Sequence, residues 1–391
     1  MTSRMAHSSL QVLGACVLLS ACTDLPSRPL QPAEVRLDAV KFWEVTASTR
    51  WNERAIDLFG RRTLANGQAA ASRILTYLSI AQYRAVLAAE DGKNGSRHPS
   101  VSAAVGGASV AVLKDFFSQD ANELEAQLDA DLAAEDWPGA QHQDEASGEA
   151  IGRAVAAEVL AQKATDNYLV ASAGTPLVGP GYWIPAPGIS RSLHGSRPFF
   201  MTSADQVRPG PPPQYGSPEF LAALAEVRAI ADSRTPEQIA IAQRWNTGFT
   251  AATMNLVIDD LIRSHHRKER EATRILAYAN AAAFDAQIAC SDAKFTYWFI
   301  RPTQADPGIT LAPNVALPNH PSYPSAHSCI TSALMTVAAD AFPSERGRLE
   351  AIIAEAGLSR MYGGLHYRFD VEAGQDIGRA TAALALAGSL R

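Results

Sequence analysis

Apolar residues recur along most of this chain at the three-and-four spacing of helices, and nowhere do they alternate convincingly as strands. Ile330, Leu334, Val337 and Ala341 fall on one face after Pro324, and Leu349, Ile352, Ile353 and Ala356 do the same further on. From Asn122 to Asp136 leucines are interleaved with Glu and Asp, which predicts an amphipathic helix with one solvated face. The expectation is an all-α protein, two packed helical bundles side by side. One stretch resists this reading. Ala171 to Pro218 holds ten of the 23 prolines, including Pro211 to Pro213, so it cannot be helix interior and is long for a routine connection. Tyr182, Trp183, Phe199 and Phe200 give it apolar anchors, which predicts an ordered crossover rather than a Gly/Ser-rich linker.

The chain also repeats itself. Ala71 to Tyr77 aligns without gaps with Ala272 to Tyr278, and the match continues through Asp91/Asp292 and Lys93/Lys294. His98-Pro-Ser recurs as His320-Pro-Ser, and Gly148 with Ile151 to Ala157 recurs as Gly374 with Ile377 to Ala383. Three matches in one order predict an internal duplication: an N-terminal half at 36–170, the crossover at 171–218 and a C-terminal half at 219–391. Only the second copy keeps reactive groups. No Arg-Pro follows Lys93, no His follows Pro99 closely, and nothing like Ser-Arg-x5-His precedes Gly148. The first half reads as a scaffold copy, with His98 a remnant of the repeat.

Composition adds an address. The chain has 391 residues, 47% of them hydrophobic and 19% charged, as in soluble globular proteins. A net charge of −6 gives no electrostatic reason to expect nucleic acid. Arg4 precedes an apolar stretch, Leu10 to Leu19, too short to span a bilayer and followed by Ser20-Ala21-Cys22. This predicts a lipoprotein signal at 1–21, lipidation at Cys22 and a tether at 22–35. No Asp follows Cys22 to argue for inner-membrane retention, so the expected location is the periplasmic side of the outer membrane, held by lipid alone. No later window of 18 apolar residues lacks a charge; the best candidate, Ile275 to Ala289, contains Asp285. Cys290 and Cys329 read as packed thiols, and no zinc spacing, H-E-x-x-H or G-x-S-x-G is present.

The candidate chemistry lies in three blocks near the C-terminus: Lys294 with Arg301-Pro302, then Pro324-Ser325-Ala326-His327, then Ser359-Arg360 with Gly364, His366 and Asp370. An oxyanion needs fixed positive charge, fork-shaped donors from Arg and hydroxyl or amide donors. Ser325 and the Ala326 amide stand where a helix begins after Pro324, so the helix dipole favours an anion there. Two imidazoles could then supply a bond to the central atom and a route for protons. His265-His266, within the charge run Arg263 to Glu271, reads as part of a solvated helix face.

The spacing K-x6-R-P, P-S-x-H and S-R-x3-G-x-H-x3-D resembles the signature shared by vanadium-dependent haloperoxidases and their relatives among acid and lipid phosphatases, with Ala326 where the family usually has Gly. The stretch His320 to His327 is similar to that of algal bromoperoxidases. The resemblance implies that Lys294, Arg301, Ser325, Ala326 and Arg360 hold an oxyanion. It implies that His366 bonds to the central atom, as metal ligand for vanadate or as nucleophile toward phosphorus, with Asp370 orienting it. His327 would be the proton shuttle, and His320 a group beside it. The implied activity is oxidation of halide by hydrogen peroxide at bound vanadate. The alternatives are hydrolysis of phosphate monoesters through a phosphohistidine, and oxyanion binding without turnover. Ala at 326 keeps the amide donor, but a backbone there with φ > 0 would cost about 1 kcal/mol or more.

Overall fold

The helical spacing resolves, in a computed structural model, into thirteen α-helices among the described residues, which are 46–65, 67–92, 98–133, 143–170, 174–187 and 192–390. The leader, Cys22, the tether and Lys93 lie outside them. The helices are α1 (Ala47–Arg61), α2 (Gly67–Asp91), α3 (Val101–Phe116), α4 (Ala121–Ala133), α5 (Glu145–Lys163), α6 (Pro218–Ser233) and α7 (Pro236–Asn246). They continue with α8 (Thr250–Ser264), α9 (Glu269–Tyr297), α10 (Pro302–Ala305), α11 (Ala326–Ala341), α12 (Arg346–Tyr362) and α13 (Arg368–Ala387). The fold is all-α. Among the described residues, strand pairing is limited to two residue pairs, His98–Pro99 beside Gln143–Asp144, and one isolated bridge from Tyr182 to Phe299.

The order α1 to α5 is paralleled by α8, α9, α11, α12 and α13. Ser100 caps α3 and its amide donates to the Asp144 carbonyl at 3.0 Å; Ser325 caps α11 and its amide donates to the Asp370 carbonyl at 2.8 Å. Phe117 and Phe342 end those helices, each followed by a single 3-10 turn. A Cβ at Gly148 would sit 2.3 Å from the Ser100 carbonyl oxygen, and one at Gly374 2.5 Å from that of Ser325. Only glycine lets α5 and α13 approach their partners so closely. These contacts correct the sequence register. Pro99-Ser100 corresponds in space to Pro324-Ser325 and not to the His320-Pro-Ser run, because the cap and its carbonyl partner define the position. Ser102 then stands where His327 stands in the other half.

The halves do not keep separate cores. One apolar cluster runs from α1 through α13, and α2 packs along α9 with Tyr83 edge-on to Tyr278. Inside it Thr76 Oγ1 donates to the Asn280 carbonyl at 3.0 Å, and Asn255 and Asn280 exchange amide bonds at 2.8 and 2.9 Å. The charge run at 263–271 is not one helix face: α8 ends at Ser264, His266 has φ 51°, and α9 starts at Glu269. No helix among the described residues is long and apolar enough to cross a membrane.

Aromatic residues tie the described parts of the crossover to the helices. Trp183 stacks on Trp298, while Phe199 packs edge-on against Tyr77 and Phe284. Tyr182 differs, being more than a third exposed and joined to Phe299 by backbone alone. The strongest tie is Asp285, buried on α9, which accepts the amides of Phe199 at 2.8 Å, Phe200 at 2.7 Å and Met201 at 3.0 Å. Burial pushes its carboxyl up to about 6 despite these bonds. The unfolded chain binds fewer protons between the ordinary carboxyl pKa and 6, so Asp285's contribution to stability is full below that window and shrinks as pH rises through it. Asp285→Asn should destabilise the fold by about 3 kcal/mol, because whichever way the amide turns its NH2 faces at least one backbone N–H group. Chemical unfolding near neutral pH measures this; a loss below about 1 kcal/mol would contradict the assignment.

Candidate functional site

The three sequence blocks converge where α9 ends and α11 and α13 begin. Lys294 lies in the last turn of α9, buried, and its ammonium donates to the carbonyls of Pro321 at 2.8 Å, Ser322 at 2.8 Å and Pro324. All three ammonium protons are thereby used on one loop, the loop that delivers Ser325. Lys294 therefore organises the site and supplies charge to it, while giving no hydrogen bond outward. Burial, reinforced by Arg301, pushes its pKa down to about 8.

Arg301 is fully buried and spans two loops. Its Nε and Nη2 both donate to the His320 carbonyl, at 3.1 and 3.0 Å, and Nη1 donates to the Leu365 carbonyl at 2.9 Å. Nη1 also lies 3.1 Å from His366 Nε2, and Nη2 lies 3.0 Å from His320 Nδ1. A guanidinium can only donate, so His366 Nε2 carries a lone pair, while His320 Nδ1 also lies 3.2 Å from the Pro321 carbonyl. The fork expected to grip oxygens thus rests largely on protein carbonyls. Burial, opposed by Asp370, pushes Arg301 down to about 10.

His366 sits in the turn between α12 and α13, where Gly364 takes φ 78°, a conformation that favours glycine. Its Nδ1 lies 2.8 Å from Asp370 Oδ2, which also accepts Ser322 Oγ at 2.5 Å and the Tyr367 amide at 3.2 Å. With Nε2 an acceptor toward Arg301, the proton belongs on Nδ1, toward the carboxylate. Burial and then the charges of Arg301, Lys294 and Arg360 hold His366 well below the usual imidazole range. A neutral ring with its Nε2 lone pair inside the site is the state a ligand or nucleophile requires. Burial pushes the Asp370 carboxyl up to about 6.

Ser325 caps α11 through its side chain, accepting the Ser328 amide at 3.5 Å and the Ser328 hydroxyl at 3.1 Å. Its own hydroxyl proton is left to donate. Ala326 is the first helical residue and does not have a positive φ, so its methyl group brings no backbone strain. The amides of Ala326 and His327 belong to the first turn, which has no intrahelical partners to offer them. Arg360, in the last turn of α12, is buried with its Nε unpartnered; Nη1 reaches the Trp245 carbonyl at 3.4 Å. Burial, then Arg301, pushes its pKa down to about 9. His327 is half-buried, and its Nε2 lies 3.1 Å from the same Trp245 carbonyl. His320 is half-buried beside Arg301, held well below the ordinary imidazole pKa by burial, Lys294 and Arg301. Cys290 and Cys329 are free, buried thiols, with Cys290 Sγ 3.8 Å from the Pro324 carbonyl.

The predicted residues form two linked groups. Lys294, Arg301, His320, His366 and Asp370 meet around the 320–324 loop, while His327 and Arg360 meet at Trp245. Ser322 and Trp245 are the members that sequence reasoning missed. Ser322 lies inside the quoted 320–327 stretch, whereas nothing local marks Trp245. Lys294, Arg301 and Arg360 are buried cations, of which Lys294 and Arg301 act on the buried carboxylate of Asp370, and the imidazoles are held well below their usual range. Buried charge without a partner costs several kcal/mol. Among the described residues no group of three or more His, Cys, Asp and Glu is placed to hold a metal cation.

Buried cations, a helix N-terminus and an imidazole with an inward lone pair are thus gathered in an all-α body. Residues 274–390 match the model of the PAP2 superfamily. Nothing among curated proteins matches the sequence. Among solved structures, the chain resembles a bacterial vanadium-dependent iodoperoxidase with TM-score 0.73 and 22% identity, over 88% of this chain and 96% of that one. It also resembles a bacterial vanadium-dependent chloroperoxidase, in apo form (TM-score 0.64, 16% identity, 81% and 92% covered) and in holo form (TM-score 0.63, 15% identity, 82% and 92% covered). At these identities the likeness is one of fold.

Proposed function

We propose that this chain is an enzyme of the haloperoxidase type, binding vanadate and using hydrogen peroxide to oxidise halide. The observation that carries the reading is the set of buried cations around an imidazole whose Nε2 lone pair lies inside the site. The residues fit such a group. The Ser325 hydroxyl, the amides of Ala326 and His327, and the unpartnered Arg360 Nε are donors for its oxygens, and Lys294 and Arg301 balance its charge. His366 Nε2 is the atom that would bond to it. Vanadate, when bound, supplies a Lewis acid that activates peroxide.

The chain's own residues do the rest. Asp370, steadied by Ser322 and the Tyr367 amide, keeps the His366 proton on Nδ1 and the lone pair on Nε2. The lone pair now accepting from Arg301 is the one a central atom would take, which returns an Arg301 N–H to the bound oxygens. Half-buried His327 can take a proton at Nδ1 and give it back, while its Nε2 stays on Trp245. The solved structures of similar fold support this chemistry over phosphate-ester hydrolysis, since they are vanadium-dependent peroxidases and the likeness covers 81–88% of this chain.

A paired assay tests the proposal. Protein incubated with orthovanadate should oxidise bromide or iodide with peroxide, and inorganic phosphate should compete. Steady hydrolysis of p-nitrophenyl phosphate, inhibited by vanadate and without halide oxidation, would replace the reading by a phosphatase.

A further inference from the structure

We propose that Trp245 is a positioning residue whose main-chain carbonyl fixes the tautomer of His327 and anchors Arg360, a role that rests on the proposed function only for its effect on turnover. The carbonyl lies 3.1 Å from His327 Nε2 and 3.4 Å from Arg360 Nη1. A carbonyl oxygen can only accept, so the His327 proton sits on Nε2 and Nδ1 is the nitrogen left to exchange protons. Arg360 forms no ion pair with a carboxylate among the described residues, and Trp245 is the acceptor its guanidinium has there.

The choice of acceptor has a physical reason. Trp245 lies in the last turn of α7, where carbonyls lack intrahelical partners and carry the negative end of the helix dipole. Such an end steadies a guanidinium and an N–H without a full negative charge that would oppose an incoming oxyanion. Its placement is built in from two sides. The Trp245 indole Nε1 donates to Glu355 Oε1 at 2.8 Å, and Arg244 bonds the same carboxylate oxygen at 2.6 Å. Glu355 lies on α12, the helix that carries Arg360. On the other side Gln243 and Asn246 donate to the carbonyls of Pro313 and Asn314 at 3.0 and 3.1 Å. The clamp ties α7 to α12 and thereby places one carbonyl between groups from α11 and α12.

The experiment compares Trp245→Phe, Glu355→Leu and Glu355→Gln in the full chain. In nitrogen-15 spectra of labelled histidine, with the His327 signal assigned from His327→Gln, the wild type should show the Nε2–H form. Trp245→Phe and Glu355→Leu should show a mixed or Nδ1–H signal, with kcat lowered about tenfold or more and orthovanadate affinity changed by less than about threefold. Glu355→Gln keeps an acceptor for the indole and should restore the wild-type signal. An unchanged Nε2–H signal in both disruptive variants, folded by thermal melt, would overturn the proposal. The spectra need no turnover, so a protein lacking both halide oxidation and phosphatase activity would sink the functional reading and leave the tautomer result to decide this one.

Discussion

His366→Ala is expected to weaken orthovanadate binding by at least about a thousandfold, roughly 4 kcal/mol, and to abolish vanadate-dependent halide oxidation. The variant removes the lone pair that would bond to the central atom and strands Asp370, whose Oδ2 then keeps only Ser322 Oγ and the Tyr367 amide. The cations and the α11 amides remain, so weak electrostatic attraction should survive. His327→Ala is the counterpart: it should bind orthovanadate within about tenfold of wild type yet lose turnover, because a general acid–base group typically contributes 10²–10⁴ in rate. Calorimetric titration with orthovanadate, beside the halide assay, separates the two. Equal affinity in His366→Ala and wild type would mean that His366 does not hold the group.

Arg301→Lys should be nearly as damaging although it conserves charge. The guanidinium donates to the carbonyls of His320 and Leu365 and to His366 Nε2, from a fully buried position. A lysine ammonium is a point charge on a flexible stem and cannot bridge these loops with a planar fork. One of the loops is then left with buried acceptors unmet, at about 1–3 kcal/mol each. Orthovanadate affinity should fall by about a hundredfold or more, and the melting temperature should fall with it. Affinity within threefold of wild type in the folded variant would show that only the charge matters.

Much of this was legible in the chain. The spacing of Ile330, Leu334 and Val337 announced α11, and Pro324-Ser325 announced its start. A capping serine must place its hydroxyl beside the first-turn amides, so capping and anion binding share one geometry. His366 and Asp370 are four residues apart at the start of a helix, a separation that brings their side chains together, and they meet at 2.8 Å. Lys294 was legible as a buried-site cation, but not as a donor to the 321–324 carbonyls, because that loop's path depends on how α9 packs under α11. The His98-Pro-Ser and His320-Pro-Ser runs do not occupy equivalent places, because short runs carry less positional information than a cap and its carbonyl partner.

The sequence by itself therefore determined the helical class and the candidate groups that the fold gathers, since periodicity, caps and side-chain chemistry are local properties. Tertiary structure decided what each group faces. It put Arg301 on two loops 45 residues apart in the chain, from His320 to Leu365. It gave Ala326 ordinary helical backbone and merged the two halves into one core. It also brought the Trp245 carbonyl, 82 residues before His327, against that imidazole. A backbone carbonyl has no residue-specific signature, and its role follows only from where packing leaves a helix end unsatisfied.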